Sequence, residues 1–173
     1  LTSRDPILDV RLFGGAGFTG AQICAFALSC AMFSIFLYLT LYLQNYLGLT
    51  PFQAGVRYLP ITVASFVAAP IAGALLSRVQ ARLMLSLGLA GVGIGLLLMG
   101  GVDAGSEWTT LLGGFLVAGA SVGLINPVIA DVAVSVVPKE QSGMAAGIND
   151  TFRQVGVAVG IAVWGAIFVG RGA

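Results

Sequence analysis

The feature that most restricts this chain is where its charges are missing. No charged residue lies between Arg11 and Arg57, between Arg57 and Arg78, or between Arg82 and Asp103. The same holds between Glu107 and Asp131 and between Arg153 and Arg171. A helix needs about 20 mainly apolar residues to cross the hydrocarbon core of a bilayer. Backbone donors and acceptors find no water there, so each such run must satisfy them internally, as a helix does. Only 9% of the chain is charged and 58% is hydrophobic, whereas a soluble domain carries about 25% charged residues. In water this chain could not cover its own surface. The mean hydropathy of +1.00 agrees. The expected fold is therefore all-α, a polytopic protein embedded in the lipid bilayer.

Five transmembrane helices are expected, at about residues 18–46, 51–77, 81–102, 107–136 and 139–169. Asn45 to Pro51 forms the turn after the first, with Thr50 as N-cap, Pro51 at the first helical position and Gln53 completing a capping box. Asp103 to Ser106 is a polar turn with Ser106 as the next N-cap, and Pro138 marks a stop and a restart. Arg4, Arg11, Arg78, Arg82 and Lys139 fall at one side of the membrane, against Arg57 and Arg171 at the other. The excess of basic residues marks the cytoplasmic side, which places the N-terminus in the cytoplasm.

Glycine recurs at four-residue spacing in Gly91/Gly95, Gly119/Gly123, Gly143/Gly147 and Gly156/Gly160. Such pairs put small residues on one helix face and let backbones approach. That spacing serves plain packing or packed faces that slide, and does not separate the two. Pro60, Pro70 and Pro127 fall inside spans. Each removes a backbone donor and frees a carbonyl, which suits either a static kink or the wall of a gated cavity.

The polar residues within the spans are few. Asn149 and Arg153 are four apart and share a helix face, with Asp150 and Gln154 beside them. Arg153 lies about 20 Å along the helix from Lys139, below the headgroups unless it snorkels. An ionic group at that depth is a candidate functional site and should face protein or water. Asp131, Asp150, Arg153 and Gln154 are therefore candidates for gating or coupling, the alternative being a structural pair of Asp131 or Asp150 with Arg153. Gln22, Tyr38, Asn126, Asn149 and Phe152 are candidates for a substrate cavity. Tyr42 and Tyr46 fit an interfacial aromatic belt, and Arg57 sits near a membrane surface from which it can snorkel.

Several function classes drop out. The chain has no histidine, which removes histidine-based catalysis and argues against a zinc site. No metal or other cofactor is expected. Cys24 and Cys30 read as small core residues. A net charge of +1 offers no basic patch for nucleic acid. The acids are scattered rather than clustered, so no membrane-embedded enzyme is indicated. A chain that opens at Leu1 and stops just after an apolar run reads as a piece of a longer protein.

Four stretches resemble the C-terminal half of a major facilitator superfamily transporter, in the fourteen-helix drug:proton antiporter branch. Pro6 to Phe13 is similar to the amphipathic lead-in of that half. Leu41 to Gly55, continued by Leu59-Pro60, resembles its next helical hairpin. Gly73 to Arg78, with Arg82, resembles the loop motif Gly-x-x-x-Asp-Arg-x-Gly-Arg-Arg, although Ser77 and Gln80 stand in place of its Asp and Gly. Gly143 to Gly156 is similar to the start of the penultimate helix of the half, with Asp150 where a neutral residue is more usual. The resemblance implies five of the six helices of that bundle, with the sixth and the whole N-terminal half of the transporter lying elsewhere. It further implies proton-coupled export of drugs or other hydrophobic or cationic small molecules by a parent protein that acts as a monomer in the bacterial plasma membrane. A self-contained scaffold or channel that oligomerises through its glycine faces is the alternative.

Overall fold

A computed structural model describes residues 10–100 and 108–171 of the chain. After a 3-10 turn at Val10–Gly14, helix α1 covers Ala16–Leu41 and runs into a π-helical turn at Tyr42–Tyr46. Helices α2, Pro51–Arg57, and α3, Leu59–Leu75, follow. Helix α4 covers Ala81–Met99. A 3-10 turn at Trp108–Leu111 leads into α5, Leu112–Ser135. Another at Lys139–Gln141 leads into α6, Ser142–Arg171. No strand occurs among the described residues. The stretches Ala16–Tyr46, Pro51–Leu75, Ala81–Met99 and Trp108–Ser135 are long and apolar enough to cross a membrane. Helix α6 has 30 residues and gathers its polar side chains in its first half. The fold is that of a polytopic helical membrane protein.

The local chemistry explains the boundaries. Thr50 caps α2 through a full capping box: Gln53 N donates to Thr50 Oγ1 at 3.3 Å, and Thr50 N donates to Gln53 Oε1 at 3.1 Å. Gly48 supplies the turn before it with φ +63°, a backbone state that costs glycine little. The second span, expected as one helix, is broken at Tyr58. Pro60 has no N–H to give to the carbonyl one turn back. Tyr58 instead tightens the chain, its N–H donating to Gly55 O at 3.1 Å, and α3 restarts with the proline in its first turn. The last two spans likewise open on 3-10 turns rather than as α-helix throughout. The N-cap expected at Ser106, the charges Asp103 and Glu107, and the lead-in before Val10 lie outside the described residues.

The chain divides into two compact units, Leu1–Ala31 with Ile129–Ala173, and Met32–Val128. In the first, Phe18, Ala145 and Ile148 form a buried cluster, joined by Phe13, Met144 and Phe152. Here α6 lies close to α1: a Cβ on Gly156 would run into the Phe26 backbone. In the second unit, α5 packs against α3 and α4. A Cβ on Gly119 would overlap the backbone of Ile61, and one on Gly123 that of Ser65. Gly95 meets the Ala118 backbone across α4 and α5. Gly143 and Gly147 share the same spacing but have open space around them, so the repeat alone does not mark a contact. Gly123→Ala should therefore cost about 1–3 kcal/mol, because two backbones must part. Gly147→Ala should leave stability unchanged or raise it by up to about 1 kcal/mol, through the helix preference of alanine. Thermal unfolding of the two purified variants measures the contrast.

Candidate functional site

In the first unit α1 and α6 bring together three of the polar residues singled out above. Arg153 Nε donates to Asn149 Oδ1 at 3.1 Å. Asn149 Nδ2 donates in turn to Gln22 Oε1 at 3.0 Å. Arg153 carries donors only, so it takes the carbonyl end of the Asn149 amide. The Asn149 NH₂ is left facing Gln22, which must present its own oxygen. The order of amide atoms along the chain follows from the guanidinium. Such aligned dipoles polarise one another where the surroundings are apolar.

The chain ends on an open donor. Gln22 is fully buried, and among the described residues its Nε2 has no hydrogen-bond partner. A buried amide N–H left unmet costs about 1–3 kcal/mol. It is therefore a place where a water molecule or an acceptor group of a ligand gains by binding. Asn149 is also buried, and Arg153 is half-buried. The set thus joins a cation at its partly open end to a donor at its closed end, and chemically it can hold and orient a polar group within an otherwise apolar bundle.

The other candidates are placed differently. Phe152 is half-buried, with its ring 5.8 Å from that of Phe13, and Phe13 in turn meets Phe18 edge-on at 5.4 Å. Asp131, Asp150 and Gln154 are exposed on the same unit. Tyr38 and Asn126 are half-buried in the second unit. Gly73, Arg78 and Arg82 are exposed around the turn after α3, where Arg78 N donates to Leu75 O at 2.8 Å and Ser77 Oγ to Ala74 O at 3.0 Å.

One polar contact escaped the sequence. Thr40 Oγ1 and Tyr58 Oη lie 2.9 Å apart, and Tyr58 Oη donates to Phe36 O at 3.3 Å. This fastens the break between α2 and α3 to α1. The signal was a tyrosine two positions before Pro60, in a run that otherwise looks uniformly apolar. Next to it is an open groove of about 420 Å³, walled by Phe36, Ile61, Phe66 and Val122, with Thr62 and Ser65 as its polar members. Its size is within the range of small-molecule sites, about 300–1,000 Å³.

Comparison with known proteins adds an independent line. Residues 4–169 match the family model described as Major Facilitator Superfamily. The chain is 33% identical over 165 residues to the multidrug resistance protein Stp of Mycobacterium tuberculosis, a match that covers 95% of this chain and 30% of Stp. It is 32% identical over 167 residues to the methylenomycin A resistance protein of Streptomyces coelicolor, covering 94% of this chain and 34% of that protein. It is 29% identical over 166 residues to the multidrug efflux pump LfrA of Mycolicibacterium smegmatis, covering 96% and 33%. The chain thus spans about a third of the length of these curated relatives.

Proposed function

Because the chain belongs to the Major Facilitator Superfamily, we propose that it supplies five membrane spans of the C-terminal six-helix bundle of a secondary transporter. The parent protein exports drugs or other hydrophobic or cationic small molecules in exchange for protons, as a monomer in the bacterial plasma membrane. Its N-terminal half completes the substrate cavity, and the N-terminus of this segment is cytoplasmic. The relatives named as multidrug and antibiotic resistance proteins support the substrate class. The observation that carries the reading for this segment is the buried Gln22–Asn149–Arg153 chain. A polar set of this kind is expensive in a membrane bundle and is expected where it faces a transport path.

In this reading transport proceeds by rocking of helical bundles around a site near the midplane. Gln22, Asn149 and Phe152 in the first unit, and Tyr38 and Asn126 in the second, are the candidates for contact with substrate, and the apolar groove near Phe36 and Phe66 within the second unit is wide enough for a hydrophobic body. Arg153 holds Asn149 in one of the two access states, and Asp131, Asp150 and Gln154 are the candidates whose exchange of a proton or cation biases it. The turn of Gly73, Arg78 and Arg82 serves as the cytoplasmic loop between α3 and α4.

Uptake into everted membrane vesicles tests this directly. Vesicles that carry the full-length protein and are acidified inside by respiration should accumulate the hydrophobic cation ethidium, and should release it when a protonophore is added. Accumulation equal to that of vesicles without the protein, or indifferent to the protonophore, would contradict the proposal.

A further inference from the structure

A second polar feature lies within the other unit. The turn into α2 and the 3-10 turn at Trp108–Leu111 come to the same end of that unit, because successive helices alternate in direction. There the Arg57 guanidinium lies over the Trp108 ring, with Cζ 5.3 Å from its centroid. Arg57 Nε is buried and has no hydrogen-bond partner among the described residues. A groove of about 470 Å³ opens beside it. Its walls are mainly apolar, formed by Phe52, Val56, Leu59 and Pro60, and among the described residues no carboxylate belongs to its lining. Phe52 is 80% exposed.

We propose that this groove binds an anionic phospholipid of the surrounding bilayer, with its phosphate on Arg57 and an acyl chain running on from Leu59 and Pro60 along α3. Three observations fit that occupant. The indole of Trp108 lies against the guanidinium, and the guanidinium fork is of the kind that can donate to two phosphate oxygens at once. A cation with an unmet buried donor is an unstable end state, and a phosphate removes both deficits. The groove lies at helix ends, where a bilayer places its headgroups, while its apolar wall continues along α2 and α3, where a bilayer places its chains. A zwitterionic lipid brings its own ammonium next to Arg57. An anionic lipid such as phosphatidylglycerol does not, and leaves the single positive charge of the groove balanced.

Native mass spectrometry of the full-length protein in detergent, titrated with phosphatidylglycerol, phosphatidylcholine or inorganic phosphate, tests the proposal. One basic residue near a membrane surface contributes about 1 kcal/mol toward an anionic lipid, so the first phosphatidylglycerol should bind about 5-fold more tightly than the first phosphatidylcholine. Arg57→Gln should abolish that preference. Arg57→Lys, which keeps the charge and loses the planar fork, should retain part of it. Equal binding of the two lipids by the unmodified protein would overturn the proposal without any variant, as it would if Asp103 or Glu107 already neutralises Arg57. A preference undiminished in Arg57→Gln, or one erased by millimolar inorganic phosphate at constant ionic strength, would also overturn it; the latter would mark a soluble anion as the occupant.

Discussion

Arg153→Ala is expected to slow drug export by the proposed full-length transporter by about 10- to 150-fold, while the protein still inserts and its unfolding temperature falls by no more than the loss of the single bond to Asn149 accounts for. The magnitude follows from the hydrogen bond it loses. A bond from a charged donor to an amide oxygen is worth about 1.5–3 kcal/mol. If Arg153 makes its bond to Asn149 in one access state and not in the other, the loss shifts their balance by the matching factor. Arg153 is half-buried, so truncation opens a small gap and removes no large apolar surface. Arg153→Lys keeps the charge but presents a compact ammonium in place of the fork, and should recover part of the rate. Initial uptake rates in everted vesicles, normalised to the amount of protein, measure the effect alongside a thermal unfolding curve. A loss of stability in step with the loss of rate would assign Arg153 a structural role, and unchanged uptake would remove it from the site.

The second large effect concerns stability. Asn149→Leu removes two hydrogen bonds at once, the acceptor of Arg153 Nε and the donor to the buried Gln22 oxygen. The bond lost from a charged donor is worth about 1.5–3 kcal/mol and the buried Gln22 oxygen left unmet costs about 1–3 kcal/mol, so the variant should lose about 2.5–6 kcal/mol. Gln22→Leu should cost less. It exposes only the Asn149 NH₂, and it removes an N–H that already lacks a partner. Introduced together, the two leucines should destabilise by less than the sum of the separate effects, with a coupling of about 1 kcal/mol. Chemical unfolding of the two single variants and the double variant in detergent measures that coupling. Strict additivity would mean that the Asn149–Gln22 bond contributes nothing in the membrane protein as purified.

Most of the architecture could be read from the positions of charges and caps. Gaps between Arg11, Arg57, Arg78, Arg82, Asp103, Glu107, Asp131, Arg153 and Arg171 outline the helical stretches because the bilayer penalises both ions and open backbone. Thr50, Pro51 and Gln53 announce a capping box, and the structure contains it. These signals are local. The Gln22–Asn149 hydrogen bond joins residues 127 positions apart, and nothing in one sequence ties a lone glutamine in α1 to an asparagine in α6. Spacing also misleads where geometry decides. Gly119/Gly123 and Gly143/Gly147 look alike as text, yet the first pair meets α3 and the second has open space. The break at Tyr58 was concealed for another reason: Pro60 is compatible both with a kink inside a helix and with the first turn of a new one, and only the partners of Tyr58 distinguish them.

If the Gln22–Asn149–Arg153 chain lies on the proposed drug path, a cysteine placed in it should report the passage of drug. Asn149→Cys would be introduced into the full-length transporter with Cys24, Cys30 and any other cysteine replaced by serine, and treated with N-ethylmaleimide in membranes. Labelling should slow when a transported drug is added and change when the proton gradient is collapsed. A thiol at 149 that reacts at the same rate with and without drug and gradient, or that never reacts, would place the chain in a static interior off any drug path.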